Sequence, residues 1–285
     1  MDNFNVKRMK KIKFVSTILI GFIILCFIGY VIHERENVFT GLLKIITSQA
    51  VLITDFLEIG GIGATFLNAF LIFGFNFTLM KIMKIEITGL AIASFFTVFG
   101  FSFFGKNILN IIPFYLGGIL YSLYERIEFK EIFITISFAS ALAPFVSEVA
   151  FRVDTTETSY LNAIVLGIII GFIVTPLASK MAGFHEGFNL YNLGFTGGIL
   201  GAVITSILKL YKFQITPQRI ISYEFDLALK LICTGTFLTL IIVGFFINGS
   251  SFNGYKKLLC DSGLKADYIK KYGSVSYTHL TLPTT

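Results

Sequence analysis

The chain has 285 residues, of which 55% are apolar and only 14% charged, whereas soluble domains run at about 45–50% apolar and about 25% charged. A soluble globular fold is therefore excluded, and lipid is the expected solvent for most of the chain. The net charge of +6 would suit a nucleic-acid binder in a soluble protein; here the basic residues stand in short clusters between apolar runs, as membrane topology requires, so no nucleic-acid partner is expected.

The first apolar run, 14–32, follows Lys7, Arg8, Lys10, Lys11 and Lys13. At about 19 residues it is long enough to span a bilayer, and no small-x-small cleavage pattern follows it. It reads as a signal anchor with a cytoplasmic N-terminus. The next segment, 39–61, carries Lys44, Gln49, Asp55 and Glu58. Each central charge costs ~2.5–3.5 kcal/mol on insertion scales, so this segment is expected at the interface or as a partial insertion covered by protein.

The runs 62–80, 87–104, 108–124, 132–151 and 160–178 are each about 17–20 residues long and so predict spanning helices. Run 187–208 is interrupted by Asn189, Asn192 and several glycines, and either re-enters or spans; 227–247 is an ordinary span. This order places Lys81, Lys84, Arg126, Lys130 and Lys180 with the basic N-terminus, and Arg35, Lys44, Lys106 and Arg152 outside, which agrees with the positive-inside rule. The expected fold is all-α: a polytopic transmembrane bundle of about 7–9 segments, with one or two interrupted or re-entrant helices.

Two stretches match internally. Allowing one deletion, FTGLLKIITSQAVLITDFLEIGG pairs with FNGYKKLLCDSGLKADYIKKYGS, so that Phe39, Gly41, Lys44, Asp55 and Gly61 meet Phe252, Gly254, Lys257, Asp267 and Gly273. A weaker echo sets Gly63, Asn68 and Gly74 against Gly187, Asn192 and Gly198. Repeats of this kind are a common plan for transporters, with the substrate held where the repeats meet. The expected organisation is a signal anchor over 1–38, a first repeat unit over 39–250 and the start of a second over 251–274. The final string over 275–285, VSYTHLTLPTT, resembles a translated sequencing adaptor and is expected to be non-native, with the chain truncated early in its second half.

The segments TDFLEIGGIGATFLNAFLI, GKNILNIIPFYLGGILY and HEGFNLYNLGFTGGILG together resemble a family of bacterial multi-pass membrane proteins with two related halves and no assigned activity. The resemblance runs over 39–273. It implies location in the bacterial cytoplasmic membrane and internal duplication, and it implies no chemistry.

Four constellations stand out. In TDFLEIGGIGATFLN, Asp55 precedes a helix start at which free N–H groups can bind an anion or a carbonyl; the alternative is that Asp55 simply caps the helix and Glu58 complements its dipole. Asn68 lies further along the same helix. In GKNILNIIP, Lys106 and Asn110 share a face at i and i+4 and can hold a polar solute, or belong to a capped, Pro-started helix. Glu148 precedes Arg152 by four residues, the favourable order for an ion pair. His185, Asn189 and Asn192 share a helical face, with Glu186 turned away, and such a stripe faces a bundle interior or a wet cavity.

The candidate substrate-binding residues are thus Asp55, Asn68, Asn110, His185, Asn189 and Asn192. No nucleotide-binding, hydrolase or zinc motif is present, and Cys26, Cys233 and Cys260 have no metal spacing. No enzyme activity, cofactor or metal is expected. The functional expectation is a secondary transporter or channel for a small polar solute or ion, in contact with the lipid bilayer and compatible with a homo-oligomer. The alternatives are a non-transporting scaffold whose glycines serve helix packing, and an intramembrane enzyme using His185 and Glu186.

Overall fold

A computed structural model describes residues 37–50, 54–86, 88–151, 157–184, 186, 192–211, 220–248 and 250–260. The expected signal anchor and the expected non-native tail lie outside them. The chain divides into two units, one of Met1–His33, Ile87–Leu90 and Tyr223–Thr285, the other of Glu34–Glu86 and Ala91–Ser222.

The larger unit begins with α1 (Val38–Thr47), a short amphipathic helix, which is followed by α2 (Phe56–Ile82). Helix α2 starts several residues earlier than the apolar run because Asp55 caps it: its carboxylate Oδ1 accepts from the Leu57 amide at 3.0 Å, satisfying a donor that the first turn leaves unpaired. One turn later the helix breaks at Gly61, with φ 82° and ψ 170°, a conformation only glycine adopts without strain. Gly60, beside it, lies against α1 so closely that a Cβ on Gly41 would come within 2.2 Å of the Gly60 carbonyl oxygen.

Helices α3 (Gly89–Phe101) and α4 (Ile112–Glu125) follow. They have 13 and 14 residues, or about 20 Å each at 1.5 Å per residue, too short to cross ~30 Å of hydrocarbon alone. The two full spans expected over 87–104 and 108–124 are thereby corrected. The cause is local: after Phe101 the chain leaves the helix in turns, Gly105 takes φ 67°, and Asn107 and Asn110 bind one another's backbone before Pro113 opens the next helix. Phenylalanines join α2 to α3 and to the turn that follows it, with ring centroids 5.9 Å apart for Phe70 and Phe99, 5.4 Å for Phe73 and Phe95, and 5.0 Å for Phe66 and Phe103 of the turn.

The run expected as one span over 132–151 is also broken. Helix α5 (Phe129–Ala139) passes through a 3-10 turn (Ser140–Leu142) into α6 (Pro144–Ala150), with a bend of 46°. Pro144 supplies no amide hydrogen and crowds the preceding turn, so the helix cannot run straight through it. Helix α7 (Glu157–Phe184) is the long partner of this group. It packs on α4 through glycines: a Cβ on Gly117 would lie 2.2 Å from the Ile168 carbonyl oxygen, and one on Gly171 would lie 2.3 Å from that of Phe114. Small residues at such a crossing bring two backbones together, the usual basis of helix association in lipid. Helix α8 (Asn192–Leu210) completes the unit.

In the smaller unit, α9 (Asp226–Ile247) is followed by the short α10 (Tyr255–Leu259). Leu227, Leu231 and Phe246 on α9 are exposed, as side chains facing lipid would be.

Among the described residues the fold is a bundle of apolar helices, that of a multi-pass membrane protein. Four helices, Phe56–Ile82, Ser159–Met181, Asn192–Leu210 and Asp226–Phe246, are long and apolar enough to cross a membrane, or five if the bent pair counts as one span. The about 7–9 segments expected from apolar run lengths included two runs that form short helices and the run 14–32, which lies outside the described residues. The expected repeat is not visible in local geometry either: Gly41 lies inside α1, whereas its counterpart Gly254 precedes α10 with φ 91°. Asp267 and Gly273 lie outside the described residues.

Candidate functional site

Three interruptions in the larger unit meet at one place. The passage before α2, the connector between α3 and α4, and the break between α5 and α6 are all drawn to the backbone around Lys106. Residues 54–56 run antiparallel to 103–105: the Phe56 amide donates to the Phe103 carbonyl at 3.0 Å and the Gly105 amide to the Thr54 carbonyl at 3.2 Å. Non-helical backbone within a membrane bundle is tolerated only where protein or a cavity satisfies its polar groups, and this pairing satisfies part of it.

Asparagines satisfy more. Asn68, fully buried on α2, donates its two amide hydrogens to the carbonyls of Ser102 and Lys106 at 2.8 and 2.9 Å. Asn110 donates to the neighbouring Gly105 carbonyl and to the Ser147 hydroxyl of α6, both at 2.9 Å. Its side-chain oxygen accepts from the Asn107 amide at 2.9 Å, while Asn107 Oδ1 accepts from the amides of Leu109 and Asn110. Two consecutive carbonyls of the connector, Gly105 and Lys106, are thus each held by an asparagine from a different element. Because both amide hydrogens of Asn68 are spent on carbonyls, its orientation is fixed, and its oxygen Oδ1 is buried with no hydrogen-bond donor among the described residues.

The side chain of Lys106 is 1% exposed. Its ammonium donates to the Ser140 hydroxyl at 2.5 Å, in the 3-10 turn between α5 and α6. No carboxylate among the described residues pairs with it. From Ser140 a chain of buried hydrogen bonds continues. Ser140 donates to the Ser137 carbonyl at 2.6 Å; the Ser137 hydroxyl donates to Asn76 Oδ1 at 3.1 Å; and the Tyr115 hydroxyl donates to the same oxygen. Asn76 closes the chain on its own helix by donating to the Ile72 carbonyl at 2.9 Å. The polar line from Lys106 to Asn76 joins α2, α4, α5 and the connector through otherwise apolar packing.

The six predicted site residues fare differently. Asn68 and Asn110 are brought together at the connector. Asp55 is close in the fold but committed to structure: besides capping α2, its Oδ2 accepts from the Ser222 amide at 3.0 Å, and its own amide donates to the Ile220 carbonyl at 3.1 Å. Asn192 opens α8 and donates to the Ala178 carbonyl of α7 at 2.9 Å, apart from this cluster. His185 and Asn189 lie outside the described residues, as does Arg152. Glu148 is 4% exposed and accepts from Gln49 Nε2 at 2.9 Å, while Glu58 is exposed.

Asn76, Tyr115, Ser137 and Ser140 were not anticipated. Two signals point to them: Ser137 and Ser140 stand at i and i+3 in an apolar run, and Asn76 is a second asparagine on the helix that carries Asn68. Neither signal names the partner from elsewhere in the fold, which is another helix for Asn76 and Ser137 and the connector for Ser140.

The family model described as Protein of unknown function (DUF1576) matches residues 34–210, more than half of the chain, and the chain belongs to that family. The match takes in every element of the connector site and stops short of α9 and α10. No curated protein matches the chain, and no solved structure matches it.

Proposed function

We propose that this member of an uncharacterised membrane family is a secondary transporter or channel for a small polar solute. The observation that carries the reading is the meeting of three helix interruptions on a buried polar connector. A membrane protein built only to pack helices has no need to unwind them, since each free backbone group must then be satisfied again. Interrupted helices with polar side chains at the break are how transporters present groups to a solute. Asn68 Oδ1 offers the solute an acceptor, and Lys106 has ammonium hydrogens beyond the one bound to Ser140.

On this reading the protein is not an enzyme and resides in a bacterial cytoplasmic membrane with a cytoplasmic N-terminus. The finer architecture, 7–9 segments in a duplicated plan and a homo-oligomer, belongs to the same proposal and rests on the sequence pattern. The test is uptake of radiolabelled urea, as a small neutral polar probe, into proteoliposomes. Uptake above that of empty vesicles, lost in Asn68→Leu protein that still elutes as the wild type does, is the expected result. Uptake unchanged in that variant removes Asn68 from the pathway.

A second reading has its own observation. The Gly41 to Gly60 and Gly117 to Gly171 regions bring α1 to α2 and α4 to α7 into backbone contact, the packing expected of a scaffold that docks partner helices. These contacts are internal to the bundle, so they account for its rigidity and leave the unwound connector unexplained.

A further inference from the structure

Lys106 carries more than the proposed function uses. A lysine ammonium is a compact, strongly hydrated charge with three donors, and burying one without a partner of opposite charge is costly. Here the side chain is 1% exposed and its partner is a neutral hydroxyl at 2.5 Å. Two carboxylates of the same unit bond to other groups: Asp55 holds the amides of Leu57 and Ser222, and Glu148 Oε1 accepts from Gln49.

A purely structural need for a donor to Ser140 would be met by a neutral side chain at lower cost. What remains unexplained is why an ionisable side chain stands where a neutral donor would do, and an ionisable group buried this way in a membrane bundle marks an ion or substrate pathway. We propose that Lys106 is the recognition group of an anion site, and that the solute, or an ion carried with it, is a small monovalent anion whose charge the ammonium neutralises. Ser140 is a positioning residue that fixes the ammonium on the connector, and the Asn68 and Asn110 clamps hold the backbone from which it projects. One ammonium neutralises one charge, which favours a halide or small carboxylate over a divalent oxyanion.

The inference rests on the transport reading for its physiological meaning but not for its test, because binding and flux are separable. The full chain, purified in detergent, is heated with and without sodium chloride or sodium acetate, with sodium gluconate as the bulky control at equal ionic strength. Lys106→Met, Lys106→Arg and Ser140→Ala are treated alike. The expected result is a rise in melting temperature with chloride or acetate in the wild type, at least halved in Ser140→Ala, partly kept in Lys106→Arg and abolished in Lys106→Met. Because methionine is an apolar chain of similar length, Lys106→Met is expected to fold, and its own melting temperature in gluconate shows whether it does; if it does not, the Lys106→Arg response decides, and its loss with wild-type stability overturns the proposal.

Proteoliposome flux of chloride, acetate and urea then separates the two claims. Anion flux that falls at least tenfold in Lys106→Met supports both. Anion-dependent stabilisation without flux of any solute keeps the anion site and removes the transport reading. Urea flux with no anion effect on stability keeps transport and overturns the anion site. An anion response equal in wild type and Lys106→Met also overturns it.

Discussion

The ammonium of Lys106 and the hydroxyl of Ser140 lie 2.5 Å apart, and this contact ties the unwound connector between α3 and α4 to the break between α5 and α6. Two helix interruptions far apart in the chain are thereby linked by a lysine hydrogen bond, beside the one from Asn110 to Ser147 of α6. Such bonds contribute about 1.5–3 kcal/mol when one partner is ionised. Ser140→Ala is expected to lower stability by about that amount, and Lys106→Met to relieve part of the loss, since it removes the donor left unsatisfied. A double-mutant cycle of unfolding free energies in detergent, with Lys106→Met, Ser140→Ala and the pair, checks this; strict additivity would mean that the two side chains do not interact.

Asn68 and Asn192 look alike in the sequence, each an asparagine on an apolar helix, yet the structure gives them unequal work. Asn68 is fully buried and its Nδ2 serves two carbonyls, whereas Asn192, which donates to the Ala178 carbonyl, is only partly buried. Each buried carbonyl left without a donor costs about 1–3 kcal/mol. Asn68→Leu is therefore expected to lose the larger amount of stability and Asn192→Leu the smaller, read as the order of their thermal midpoints. An equal loss would contradict the clamp at the connector.

Much of the bundle was legible in the sequence because apolar composition and run length are local properties. Asp55 as a cap was legible for the same reason: the cap, the first turn and the Gly60-Gly61 break are contiguous. Run length failed at 87–124, where apolar residues continue through a stretch that is not helical. Phe103 and Phe104 are as apolar in a turn as in a helix, and only Gly105 and the Asn107/Asn110 pair mark the change. The buried polar line failed in a different way. Asn76, Tyr115 and Ser137 are ordinary each in its own segment, and become a network only when three helices bring them within 3.1–3.4 Å of one another; Ser140 joins it through a local bond to the Ser137 carbonyl.

The Asp55 carboxylate joins two segments of the larger unit, since one oxygen caps α2 and the other accepts from Ser222. Loss of a helix cap costs about 0.5–2 kcal/mol. Asp55→Ala is expected to lose about that much and also to speed hydrogen exchange at the Ser222 amide, which then has no carboxylate acceptor. Asp55→Asn keeps an acceptor for the Leu57 amide and is expected to fall between the two. Exchange at Ser222 unchanged in Asp55→Ala would show that the contact is not populated in solution.

The glycines of this chain divide into those that a side chain would injure and those that it would not. A Cβ at Gly117 would lie 2.2 Å from the Ile168 carbonyl oxygen and 2.8 Å from the Phe172 nitrogen, and both atoms are backbone, so α4 and α7 must move apart to admit it. Overpacking of this kind costs typically about 1–3 kcal/mol. At Gly198 on α8 nothing lies within 4 Å of the added carbon, and alanine is favoured over glycine in a helix interior by about 0.8–1 kcal/mol. Gly117→Ala is accordingly expected to lower the thermal midpoint, and Gly198→Ala to leave it unchanged or raise it. The comparison also bears on function. If Gly117→Ala loosens α4 against α7 without altering solute or anion flux, the glycine contacts serve packing alone and the connector between α3 and α4 works independently of them. If flux falls with stability preserved, the α4–α7 contact is part of the moving machinery, because α4 begins two residues after Asn110, where the Asn107/Asn110 pair has set its direction.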